Sequence, residues 1–192
     1  MKRVRSRAVP FLAMMAAASL LLMAHSSPAD ARTIEAASCP LNSDGTAMFG
    51  NKKYAESFTS TRSGNITSGS IETYNTMEKP ATYVVEIWNA DLSGIPTGSA
   101  ALSSTTVYHP HRGYDAEYPT FSSPAKVTAG NNYALVVTVE EPSLNGVVID
   151  PSNPCPGTFS LDQSGSGTFA ADASNRDMVF LLNVTFRRHH HH

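Results

Sequence analysis

The segment Tyr108-His109-Pro110-His111-Arg112-Gly113-Tyr114-Asp115-Ala116-Glu117-Tyr118 holds the densest set of chemically useful side chains in this sequence. His109 and His111 stand two residues apart, so an extended backbone would turn both imidazoles to one side. With Asp115 or Glu117 they make a candidate donor set for zinc or a similar metal. Two histidines are few for a metal centre, and a solvated hairpin loop is the plainer reading, so no metal is assigned. The same segment carries Tyr108, Tyr114 and Tyr118. The sole tryptophan, Trp88, follows Glu86 at a spacing of two. An aromatic face matches the C–H face of a pyranose, and a nearby carboxylate accepts hydrogen bonds from its hydroxyls. Trp88, Glu86, Tyr108, Tyr114 and Tyr118 are therefore the candidate glycan-contact residues. The plainer reading of Trp88 is a ring covered by a neighbouring loop at a strand end.

Signals for catalysis are weak. The chain has no G-x-S-x-G elbow, no H-E-x-x-H, no P-loop and no dinucleotide fingerprint. Glu140 and Glu141 are adjacent, so on a strand their side chains diverge. Glu72 and Glu86 could face each other across a sheet as the acid and base of a small glycosidase, but their neighbours are polar and give no reason for a raised carboxyl pKa. The leading expectation is a non-catalytic extracellular interaction module. A small secreted, glycosidase-like hydrolase is the alternative, and a purely structural surface protein is the third reading.

The start of the chain leads to the expectation of an exported protein. Lys2, Arg3, Arg5 and Arg7 precede the apolar stretch 8–24, and Ala29-Asp30-Ala31 supplies the small-x-small pattern of a cleavage site. Residues 1–31 are expected to be a signal peptide, with no membrane span in the mature chain. His189 to His192 form a tail that reads as a purification tag. Without Lys2, Arg3, Arg5, Arg7 and Asp30 the chain keeps 10 basic and 15 acidic side chains, a formal charge of −5. An acidic chain without a basic cluster is a poor partner for nucleic acid or an anionic membrane. Cys39 and Cys155 are the only cysteines. In an exported chain they are expected to form a structural disulfide.

The elements that would position these residues are strands. Tyr83, Val85 and Ile87 recur at period two with Glu86 among the alternate positions, as do Tyr133, Leu135, Val137 and Val139, whose alternate positions end in Thr138 and Glu140. Met178, Phe180, Leu182, Val184 and Phe186 give the longest alternation. Val85, Ile87, Leu135, Val137, Phe180, Leu182 and Val184 form the expected core. Weaker strands fit 54–59, 70–74, 101–108, 118–122, 144–149 and 158–161, with turn residues between them. About nine short strands at this spacing predict an all-β, two-sheet antiparallel β-sandwich over residues 51–188, with a closed barrel as the structural alternative. Residues 32–50 read as an N-terminal arm strapped on by the disulfide, and 162–176 as a long surface loop.

Several motifs carry a resemblance. They run from Glu56-Ser57-Phe58-Thr59 through Gly94-Ile95-Pro96-Thr97-Gly98 and Ala129-Gly130-Asn131-Asn132-Tyr133-Ala134-Leu135 to Asp177-Met178-Val179-Phe180. Over roughly residues 54–186 the pattern resembles the jelly-roll β-sandwich accessory modules of bacterial secreted and cell-surface proteins. The resemblance implies a jelly-roll type of sandwich and a glycan or an extracellular protein as partner. It transfers no catalytic or metal residue. Modules of this lectin-like kind often hold a structural calcium ion. Asp44, Asp150, Asp162, Asp172 and Asp177 all fall in or beside loops, but none has EF-hand spacing, and Asn42-Ser43-Asp44-Gly45 reads first as a turn. No cofactor is therefore expected.

Overall fold

The period-two alternation resolves into two antiparallel sheets in a computed structural model, which describes residues 31–187 except 42–44, 99, 153–154 and 175. Residues 1–30 of the segment expected as a signal peptide, the histidine tail and Asp44 lie outside the described residues. The strands are β1 (Ala31–Cys39), β2 (Thr46–Met48), β3 (Lys53–Thr59), β4 (Gly64–Asn75), β5 (Ala81–Ala90), β6 (Pro96–Thr97), β7 (Ser103–His109) and β8 (Gly113–Glu117). They continue with β9 (Thr120–Val127), β10 (Asn132–Val139), β11 (Asn145–Asp150), β12 (Phe159–Asp162), β13 (Ala170–Ala171), β14 (Asp177–Met178) and β15 (Phe180–Arg187). No helix occurs among the described residues.

The first sheet runs β1-β15-β4-β11-β14, with β2 on β11 and with β8 and β9 along the other side of β4. The second runs β13-β12-β3-β10-β5-β6, with β7 also on β5. Successive strands repeatedly cross from one sheet to the other, so the core is closed by residues distant in sequence. All seven expected core residues lie in it: Val85, Ile87, Leu135, Val137, Phe180, Leu182 and Val184 are each at most 4% exposed. Leu135 sits opposite Ile87 on one side and Glu56 on the other, at the centre of the second sheet.

Segments with weak patterning also form strands. Residues 32–50, expected as an arm, contribute β1 and β2. β1 pairs along its length with β15, joining the start of the described chain to its end. The strand expected over 70–74 starts earlier, because β4 begins at Gly64 and runs for 12 residues. An added Cβ on Gly69 would stand 2.5 Å from the Leu181 carbonyl oxygen, so glycine permits the close approach of β15 to β4. Within 162–176, Asp162 is buried and its carboxylate gathers the N–H groups of Ser164, Gly165 and Gly167. Burial would push this carboxyl up, but those hydrogen bonds outweigh it and hold the pKa below the ordinary range.

Cys39, at the end of β1, is bonded to Cys155, in the loop before β12, across a separation of 116 residues. A loop of that length gives roughly 5 kcal/mol in the chain-entropy account. Two outcomes check this architecture. Thiol titration of the unfolded, unreduced protein should find no free thiol. Leu135→Ala should lower stability by about 2–5 kcal/mol in urea denaturation, because a fully buried side chain is removed at the centre of a sheet.

Candidate functional site

The five aromatic and acidic candidates divide between opposite faces of the sandwich. On β5, Tyr83, Val85 and Ile87 point inward, so Glu86 and Trp88 lie on the outer face of the second sheet. The pairing of β5 with β7 places Tyr108 opposite Thr82. Tyr108 is therefore on the same face as Trp88 but six residues further along the strand, roughly 20 Å away. The Trp88 ring is half-buried and packs over Ala55, Ala134 and Val136, as Phe169 does. Its indole N–H donates to Glu86 Oε2 at 3.3 Å, and Lys53 Nζ stands 5.7 Å from the ring centroid. The side chains beside Trp88 thus already engage its ring and its polar handle.

Tyr114 and Tyr118 belong to the first sheet. The segment read as a polar hairpin loop contains β8, which pairs with β4 in the register Tyr74↔Tyr114, Glu72↔Ala116 and Ile71↔Glu117. Ile71 and Thr73 face the core, so Glu72, Tyr74, Tyr114 and Ala116 face outward. Tyr118 follows directly and is 72% exposed, while Tyr114 is 58% exposed. Tyr114 packs on Tyr74 with ring centroids 4.4 Å apart, and Phe49 meets Tyr74 edge-on at 5.7 Å. Beside Tyr118 runs a groove of about 540 Å³, bordered by Glu35, Ser38, Leu41, Ser70, Glu72 and Leu181 among others. It offers an aromatic ring, an apolar floor and hydroxyl and carboxylate oxygens in one shallow depression. Ser38 Oγ already donates to Glu35 Oε1 at 2.5 Å, which orders that border.

The histidines part company. His109 ends β7 facing inward, buried between the sheets, with Nδ1 2.7 Å from Thr73 Oγ1 and 3.7 Å from Glu117 Oε1. His111 lies beyond the strand end and is exposed. His109, His111 and Asp115 do not bring three donor atoms together. Among the described residues, the one His/Cys/Asp/Glu group that does is Cys39, Cys155 and Asp177, and both of its sulfurs are spent in the disulfide. Burial lowers the His109 pKa, with Asp115 opposing that shift. Burial pushes the Glu117 carboxyl up to about 7, and Asp115 adds to the rise. Glu72 and Glu86, the carboxylates considered as an acid and base pair, lie on the two opposite outer faces.

Sequence reasoning did not single out a second buried carboxyl. Glu56 shares the inward face of β3 with Tyr54 and Phe58 and is fully buried. Its Oε2 accepts the Met178 N–H at 3.1 Å, tying the second sheet to the first, while Oε1 has no hydrogen-bond partner. Burial pushes its pKa to about 9, offset by that backbone bond and reinforced by Asp177. Asp177 is itself raised by burial, while the Cys155 N–H it accepts pulls the other way. The alternation Tyr54, Glu56, Phe58 was the available signal, because a strand with both flanking residues inward must turn Glu56 inward too.

Fold and geometry thus define a class: a disulfide-closed, two-sheet all-β sandwich with an exposed aromatic groove on one outer face. No helix among the described residues is long and apolar enough to cross a membrane. No protein-family model matches the chain, and a search of curated proteins finds no significant relative.

A pH prediction follows from Glu56. Its pKa is higher folded than unfolded, so the folded state holds a proton that the unfolded chain releases above about pH 4.5. Stability from this group is full below that pH and is lost as pH climbs toward 9. Glu56→Gln removes the ionisation. The stability difference between variant and wild type, measured by urea denaturation, should move in the variant's favour by about 3–4 kcal/mol from about pH 5 to about pH 8. A difference independent of pH would show that Glu56 is ionised inside the fold.

Proposed function

We propose that this protein is a non-catalytic, secreted interaction module that binds a polysaccharide along the outer face of its first sheet. The observation that carries the reading is the groove beside Tyr118. It combines a widely exposed ring with Ser38, Ser70, Glu35 and Glu72, the pairing of stacking surface and hydroxyl-binding oxygens that sugar recognition uses. Tyr114 and Tyr118 are four residues apart along β8 and its exit, roughly 13 Å. That span exceeds one pyranose ring and suits a run of linked sugar units. The groove is open and shallow, as a chain-binding surface would be. The jelly-roll accessory modules that the sequence resembles, and the signal-like N-terminus, support the same reading.

The test is isothermal titration of the mature protein with a panel of soluble polysaccharides, run on wild type and on Tyr118→Ala, Tyr114→Ala and Trp88→Ala. Loss of a stacking ring at the centre of a site costs 1–2 kcal/mol or more, so Tyr118→Ala should weaken binding about tenfold or further. Tyr114→Ala should weaken it to a lesser degree, and Trp88→Ala, on the opposite face, should leave it unchanged. Binding that survives Tyr118→Ala but is lost with Trp88→Ala would move the site to the second sheet. Absence of binding across the panel would favour a structural or protein-binding role.

A further inference from the structure

The strand that presents the tyrosines carries carboxyls on its other side. Along β8 and its exit, Tyr114, Ala116 and Tyr118 face outward, so Asp115 and Glu117 lie on the side toward the core. Asp115 remains exposed, but Glu117 reaches the space between the sheets and is buried. There its Oε1 has no hydrogen-bond partner. The nearest ring nitrogen, His109 Nδ1, is 3.7 Å away and is already bonded to Thr73. The titratable groups around the pair are Tyr83 from β5, Asp115 from β8, and His111 just past β7. The face that β4 turns to the pair contributes Thr73, which does not titrate. Arg112 is directed instead at Glu78 on the exposed tip, at 4.0 Å. Among the described residues no lysine or arginine pairs with Glu117 in this space, and burial disfavours the charged form of His109.

We propose that Glu117, lodged beneath β8 against His109, is a pH-operated latch on the aromatic face, an inference that rests on the polysaccharide reading above. Protonated, Glu117 stays between the sheets and β8 lies flat on β4, with Tyr114 against Tyr74 and Tyr118 over the groove. Ionised, the carboxylate gains water by leaving, and β8 moves with it. β8 is five residues long and holds Tyr114 in register with β4, and Tyr118 follows it directly, tied on its other side by the Gly69 N–H to the Pro119 carbonyl, so release of β8 lifts Tyr114 off Tyr74 and frees one side of Tyr118. The docked carboxyl titrates near 7 and the released one near its ordinary 4.5. Release is therefore increasingly favoured as pH rises through that interval, and the effect is complete above about 7. His109 acts in the opposite sense at acid pH, since its docked form resists protonation.

Amide hydrogen exchange of the ligand-free, disulfide-intact protein tests the latch without any glycan. Opening of residues 113–117 is compared between wild type and Glu117→Gln from about pH 5 to about pH 8, so intrinsic exchange rates and the His109 contribution cancel in the ratio. The wild-type to variant ratio of opening constants should grow roughly fiftyfold over that range. Residues 133–137 of β10, paired on both sides, open only with the whole fold, which also frees Glu117, so they should show a similar ratio but far smaller opening constants than residues 113–117 at every pH. In wild type alone, the carboxyl-carbon NMR titration of Glu117 and the opening of β8 should share one midpoint. A constant ratio, or two separate midpoints, would overturn the latch even if the variant folds poorly. Whichever polysaccharide binds wild type should lose affinity over the same interval with wild type and keep it with Glu117→Gln. PH-independent binding alongside pH-dependent opening would overturn control of the site. Failure of every polysaccharide to bind would count against the glycan reading while leaving the exchange result to decide the latch.

Discussion

Strand β4 is the element on which the first sheet hangs. Its 12 residues pair with β15 and β11 along one edge and with β9 and β8 along the other. The strict alternation of its second half sends Ile71, Thr73 and Asn75 inward and Glu72 and Tyr74 outward. Every component of the aromatic groove is registered against that alternation. Glu72 is on β4 itself, Ala116 and Tyr118 arrive through β8 and its exit, and Ser38 and Leu181 through β1 and β15. A slip of one residue in the β4–β8 pairing would exchange Tyr114 and Ala116 for Asp115 and Glu117 on the outer face, removing the rings and exposing the latch together.

The interior of this sandwich is not purely apolar. Glu56, His109, Glu117 and Asp177 are all buried, and each carries a pKa displaced toward its neutral form by burial. Two of them join the sheets directly. Glu56 on β3 accepts from the backbone of β14, and His109 on β7 meets Thr73 on β4. Such contacts specify how the sheets stack in a way that interchangeable aliphatic side chains cannot, but Glu56 holds a proton that the unfolded chain would release and His109 resists one that the unfolded chain would take up. The disulfide lies in the same quarter of the molecule as Glu56 and Asp177, because Asp177 accepts the Cys155 N–H and Met178 donates to Glu56. The disulfide beside it and the hydrogen bonds of Glu56 and Asp177 thus secure the short β14, which has little pairing of its own.

The two outer faces have different characters. On the second sheet, Trp88 and Phe169 cover Ala55, Ala134 and Val136, and Lys53 and Glu86 flank the indole, so that face is a small satellite core. On the first sheet, Tyr114 and Tyr118 stand exposed, and Tyr118 borders an open groove lined with hydroxyl and carboxylate side chains. Aromatic side chains buried against small residues contribute to stability, whereas rings left open to water on a rigid sheet are the usual material of recognition.

Alternation alone identified the all-β class, the seven core residues and the central strands, because a strand buried on one face must repeat every two residues. Two cysteines in a chain with an export-like start were enough to expect the Cys39–Cys155 bond. Strands β1, β2 and β8 were not legible. β1 and β8 lie along the outer sides of the first sheet, β2 spans three residues, and their residues are only partly buried, so pairing rather than pattern makes them strands. The candidate site was legible as residue types and not as a place. Trp88 and the tyrosines were the right chemistry to list, but whether a residue on β5 and a residue on β8 share a face depends on which sheet each strand joins. That choice is made by inter-strand register and sheet packing, long-range interactions between segments far apart in the chain, and it placed Tyr114 and Tyr118 together while separating them from Trp88 by the full thickness of the sandwich.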